Sequence, residues 1–168
     1  VTPKELRLIE ASIRDDLASI GRLLAELGDR GILGTAGEAR AGSRYSHDQF
    51  MLRAVASVLH DFYGVVENIC ELIAREYDEH LPSGPDWHLR LLRQMTLDVP
   101  GVRMAVISKD TMLLLDKYRS FRHVFRNVYG FNLDASRLEE LIGGLPDTAR
   151  RFHQEMLAFL GQLRDLVE

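Results

Sequence analysis

The chain has 168 residues and a mass of 19.1 kDa, enough to bury about two-thirds of its unfolded surface around one core, so a single domain spanning 1–168 is expected. Hydrophobic residues at 46% and charged residues at 27% exclude a disordered chain. A net charge of −4 excludes a polyanion binder that works by bulk charge, so any nucleic-acid site must be a local patch.

Helical periodicity starts at once. Leu6, Ile9, Ile13, Leu17, Ile20, Leu24 and Leu27 recur every three or four residues from Pro3 to about Asp29, the pattern of an amphipathic helix ended by Gly28 and Gly31. Its charged start, Thr2-Pro3-Lys4-Glu5-Leu6, reads as a helix cap rather than a secretion signal, and no window approaches 18 apolar residues, so a cytoplasmic protein with no membrane segment is expected. Residues 31–46 hold four glycines with no period and read as a long glycine-rich loop; the Gly31-x-x-Gly34-x-x-Gly37 spacing is not that of a phosphate loop.

A second helix is predicted from about His47 to Asp78, apolar over a wide arc through Phe50, Val55, Val58, Leu59, Phe62, Val66, Ile69, Leu72 and Ile73, as a central bundle helix would be. The only cysteine, Cys70, falls within it, which rules out an intrachain disulfide and predicts a buried thiol in a reducing compartment. Pro82-Ser83-Gly84-Pro85 forces a turn, Asp86 is the predicted cap of a third helix running to about Met95, and Trp87 and His88 read as packing residues. Ser108 is the predicted cap of a fourth helix to about Tyr129, stopped by Gly130. Ser136 to Glu168 reads as helix interrupted at Gly143-Gly144-Leu145-Pro146, with Asp147 capping the last piece. The sum is an all-α bundle of about five helices.

The fourth helix carries the chemistry. At about 100° per residue, Phe121, Val124, Phe125 and Val128 share one side, while Arg119, Arg122, His123 and Arg126 fall together on the other. The guanidinium fork suits phosphate oxygens, and the stripe reads as solvent-facing and free of interleaved carboxylates, so it favours an anionic partner. The plainer alternative is a solvated basic face paired with acids of a neighbouring helix. On the second helix Glu67 is an acid within an apolar run and needs a partner, Arg122 or Arg126. His60, Asp61 and Glu67 would line the same cleft and orient the arginines, or they are edge-of-core residues making ordinary hydrogen bonds. The remaining histidines, His47, His80, His88 and His153, lack zinc-ligand spacing, so no metal or other cofactor is expected. No nucleophile elbow, Walker element or dinucleotide fingerprint is present.

The segment Arg122-His123-Val124-Phe125-Arg126-Asn127-Val128-Tyr129 resembles the Arg-x4-6-His-x-Tyr element of HEPN-domain proteins, the HepT-like toxins in particular. The likeness extends to Leu59-His60-Asp61-Phe62-Tyr63-Gly64-Val65-Val66-Glu67 and to Pro85-Asp86-Trp87-His88-Leu89-Arg90-Leu91-Leu92, in the expected order, and covers roughly residues 50–135. This resemblance implies a HEPN-like domain that forms a homodimer, brings two motif helices together across a cleft and cleaves RNA without a metal. It also implies a nucleotidyltransferase-like antitoxin partner, which silences the toxin by adding AMP to the motif tyrosine, here Tyr129. Arg119, Arg122 and Arg126 are then the expected RNA-binding residues, and Arg122, His123, Asn127 and Tyr129 the expected catalytic set.

One position departs from the motif. Where the histidine is expected, two residues before Tyr129, the chain has Asn127, which cannot transfer a proton at neutral pH. Three explanations fit: His123 has taken the role from one turn earlier, the protein binds RNA or a protein partner without efficient cleavage, or Asn127 is a disabling substitution. A helical scaffold whose arginine stripe is only solvated surface is the reading from a third class.

Overall fold

The structure, a computed structural model, describes residues 2–33, 48–127 and 133–165. Most of the predicted glycine-rich loop, together with Val128, Tyr129 and Gly130, lies outside the described residues. Among the described residues five helices form: α1 (Pro3–Asp29), α2 (Gln49–Glu76), α3 (Trp87–Gln94), α4 (Lys109–Asn127) and α5 (Ala135–Asp165). Among the described residues no strand forms, and the only extended pairing is an isolated bridge between Val99 and Arg103. The all-α expectation holds.

The capping chemistry of α1 is as its sequence suggests. Thr2 Oγ1 accepts from the Glu5 N–H while Glu5 accepts from the Thr2 N–H, a reciprocal capping box. Leu6, Ile9, Ile13, Leu17, Ile20 and Leu27 are buried along one stripe. α2 packs against all four other helices, and Val55, Leu59, Phe62, Val66, Ile69, Cys70 and Ile73 are fully buried, which accounts for its wide apolar arc. Phe50 is the exception: it was expected in the core but is 79% exposed, because Leu52 is the residue of that first turn that faces inward.

After α2 the chain turns through Pro82 to Pro85, with Gly84 at φ +93°, a conformation that glycine adopts without a Cβ clash. α3 then runs alongside α2 in the same sense, since His88 meets Glu67 while Gln94, farther along, meets Asp78. Asp86 precedes α3 but does not cap it with its side chain; the Trp87 N–H bonds the Gly84 carbonyl instead.

The connection from α3 to α4 is fixed by a buried ion pair. Arg103 Nε and Nη2 donate to the two oxygens of Asp78 at 2.6 and 2.7 Å, and the same guanidinium reaches the carbonyls of Gln94, Leu97 and Met104. Every face of the cation is thereby satisfied without water, as a charge taken out of solvent requires.

Ser108 caps α4 as predicted, its Oγ accepting from the Thr111 N–H at 3.1 Å. A residue of α5 reinforces that start: Glu155 accepts from the Ser108 N–H, the Ser108 hydroxyl and the Thr111 hydroxyl. Glu155→Ala is therefore expected to cost about 1–3 kcal/mol and to raise amide exchange in the first turn of α4. Exchange unchanged there would mean that the Ser108 cap suffices alone.

α5 corrects the sequence reading most plainly. It is one continuous helix with Pro146 inside it, not two pieces recapped at Asp147. Tertiary packing overrides the local signal, because Leu141, Ile142, Leu145 and Ala149 on either side of Pro146 are all buried in the core. The Tyr118 hydroxyl also donates to the Leu141 carbonyl at 2.7 Å, and Thr148 Oγ1 to the Gly144 carbonyl at 2.9 Å. Gly144 is where Tyr118 comes close, since a Cβ there would stand 3.4 Å from the phenol oxygen. Asp147 instead pairs with Arg150 and Arg151 on the surface.

Candidate functional site

Thr111, Leu115, Tyr118 and Phe121 form the buried line of α4, with Phe125 half-buried at its end. That line sets the helix's rotation. It turns Val124, grouped by angle with Phe121 and Phe125, outward to 43% exposure, and it brings Arg122 to the edge of the core rather than into solvent.

Arg122 meets the acid that needed a partner. Its Nη1 donates to Glu67 Oε1 at 2.5 Å, the arginine side chain being 18% exposed and the glutamate 5%. The second oxygen of Glu67 is also engaged: His88 Nδ1, from α3, lies 2.5 Å from Oε2. A carboxylate oxygen in an ion pair only accepts, so the proton of this contact belongs to Nδ1. Trp87 stacks on His88 with ring centroids 3.7 Å apart. One buried carboxylate thus joins three helices, α2, α3 and α4.

Beside this junction is a cavity of about 440 Å³ lined by Tyr63 of α2, Pro85 and Asp86 of the turn, His88 of α3, and Arg119, Arg122, His123 and Arg126 of α4. The stripe is not free of carboxylates, as its sequence suggested, because Asp116, one turn back, accepts from Arg119 Nε at 2.6 Å. Arg122 Nε is buried and bonds nothing among the described residues, an uncompensated donor at the wall of the cavity. Burial, with Glu67 and Cys70 beside it, holds the Tyr63 phenol well above its usual range, against the opposing pull of Arg119 and Arg122. It stays a neutral hydroxyl.

A model of the HepT-like protein family matches residues 54–163, well over half of the chain and every residue that lines the cavity. The chain belongs to the HepT-like family. No curated protein and no solved structure matches it.

In this HepT-like protein the predicted residues are partly brought together. Arg119, Arg122, His123 and Arg126 share the cavity, and Glu67 backs it. His60 and Asp61 do not line it: His60 packs on Phe125 with centroids 5.6 Å apart and lies 3.4 Å from the exposed Asp61 carboxylate. Asn127 is the last residue of α4, and Tyr129 lies outside the described residues. The residue that sequence reasoning missed is His88, read as packing and found on Glu67. The usable signal was Glu67 itself, since a buried carboxylate has two oxygens to satisfy and one arginine nitrogen satisfies one.

Asp86 is the other surprise, a predicted cap found among the residues that line the arginines' cavity. Among the described residues no three His, Cys, Asp or Glu side chains gather as metal ligands, and no helix is long and apolar enough to cross a membrane.

Proposed function

We propose that this HepT-like protein is the toxin of a toxin–antitoxin pair: a homodimeric, metal-independent endoribonuclease neutralised by a nucleotidyltransferase-like antitoxin. The observation that carries the reading is the cavity itself, in which Arg119, Arg122 and Arg126 stand beside His123 and His88. Cutting RNA without a metal needs positive charge on the crowded phosphate, a base for the 2′-hydroxyl and an acid for the leaving oxygen, and these side chains supply all three. Arg122, ordered by Glu67, is the phosphate-binding residue of the motif; Arg119 and Arg126 extend the track. Tyr129 is the residue that the antitoxin would modify with AMP.

A second reading has one observation in its favour. Asn127 occupies the motif histidine's place and cannot carry a proton, which suits a catalytically silent module that holds RNA or a protein partner.

Incubation of the purified protein with a mixed RNA pool in EDTA, beside an Asn127→His version, separates the two. The nuclease reading expects cleavage by the protein as it stands; cleavage only after the histidine is installed means the natural role is binding. Light scattering on the same sample is expected to give a dimer, and a monomer at working concentration would remove the shared cleft from the proposal.

A further inference from the structure

We infer that His88 is the general base of this site, taking over the proton transfer that Asn127 cannot perform; the inference rests on the nuclease reading above. Three observations point to it. Its Nδ1 is held by Glu67 Oε2 at 2.5 Å, which commits that nitrogen's proton and leaves Nε2 as the basic nitrogen. Its ring plane is fixed by the stack on Trp87, and it lines the cavity beside the three arginines with a quarter of its side chain exposed. The geometry joins the base and the phosphate-binding cation through one residue, because Glu67 orients His88 with one oxygen and Arg122 with the other.

His123 lines the same cavity from the exposed side of α4. A base works only when it is aimed, and the Glu67 carboxylate behind His88 aims its imidazole.

In the step assigned to it, His88 Nε2 takes the 2′-hydroxyl proton. The 2′ oxygen forms its bond to phosphorus, and the phosphorus to 5′-oxygen bond breaks. The 5′ oxygen takes a proton from water, and His88 later gives its proton to the hydroxide left behind. The products are a 2′,3′-cyclic phosphate and a 5′-hydroxyl. Arg119, Arg122 and Arg126 hold the phosphoryl oxygens and do not change protonation. Glu67 is a positioning residue.

The test uses the full chain and a single-stranded RNA oligonucleotide in EDTA. His88→Asn retains an amide donor near the Nδ1 position for Glu67 and has nothing at Nε2. It is expected to lose about 100-fold or more in cleavage rate, with RNA retention on a filter unchanged. His88→Ala is expected to regain cleavage when free imidazole is added, a rescue that a merely structural role would not give. An RNA with a single 2′-deoxy sugar at the cut site is expected to resist cutting there.

Should His88→Asn not fold, His88→Gln, which keeps bulk against Trp87, and the imidazole rescue carry the same decision. Cleavage by a folded His88 variant at the parent rate, or parallel loss of binding and cleavage with no rescue, overturns the assignment and leaves the nuclease reading standing. No cleavage by the parent protein overturns both.

Discussion

Asp78→Ala is expected to lower stability by about 3–5 kcal/mol, the cost of leaving a buried cation without its counter-charge. The guanidinium of Arg103 is fully buried and Asp78 almost so, and the substitution leaves three backbone carbonyls as its only acceptors. For a chain of this length that loss is a fall in Tm of roughly 6–20 °C. Gln94 loses an acceptor as well, since its side-chain amide donates to Asp78 Oδ2 at 2.5 Å. Joint replacement by apolar residues, Asp78→Leu with Arg103→Met, is expected to cost less than Asp78→Ala alone, because no charge is then stranded. A melt for Asp78→Ala within about 1 kcal/mol of the parent would mean that solvent reaches the pair and that it does not anchor the α3 to α4 connection.

Arg122→Ala is expected to reduce RNA cleavage by about 100-fold to 1,000-fold, the range for removing one preorganised donor from a developing charge. Because Arg122 is only 18% exposed and bonded to Glu67, the variant also strands part of a buried carboxylate. A stability loss of about 1–3 kcal/mol accompanies it, contrary to the expectation from sequence that the arginine is a solvent-facing residue of small structural weight. Arg126→Ala separates the two effects. It is exposed and is expected to weaken RNA binding while moving stability by no more than about 0.5 kcal/mol. Full cleavage by a folded Arg122→Ala protein would remove the residue from the site.

The helices were legible because their signals are local. The three-and-four spacing in α1 and α2, the Thr2 and Ser108 caps and the Pro82 to Pro85 turn are read from a few neighbouring residues, and apart from Phe50 the structure keeps them. Pro146 misled for the same reason: a local breaker says nothing of the tertiary packing that buries Leu141, Ile142, Leu145 and Ala149 around it. The site was legible to the extent that it lies on one helix. Arg119, Arg122, His123 and Arg126 could be grouped by angle alone, and the need of Glu67 for Arg122 by the cost of a buried charge.

His88 and Asp86 were not legible, because their place depends on how α3 is laid beside α2 after the turn. No periodicity within an eight-residue helix encodes that. Asp116 was legible, since it stands one turn before Arg119 on the same helix.

The burial of Cys70 makes the protein its own gauge of opening. The thiol is fully enclosed in α2, and burial, with Glu67 adding to it, pushes its pKa up to about 12, so near pH 8 it is neither reachable nor ionised in the folded chain. Since it is the only cysteine, a thiol reagent reports one event, the excursion in which α2 leaves its neighbours. Labelling of the parent protein is expected to be slow and to quicken in step with each loss of stability. Cys70 sits one turn from Glu67, so a site variant that labels at the parent rate has lost chemistry and not structure. No introduced probe is required to tell the two apart.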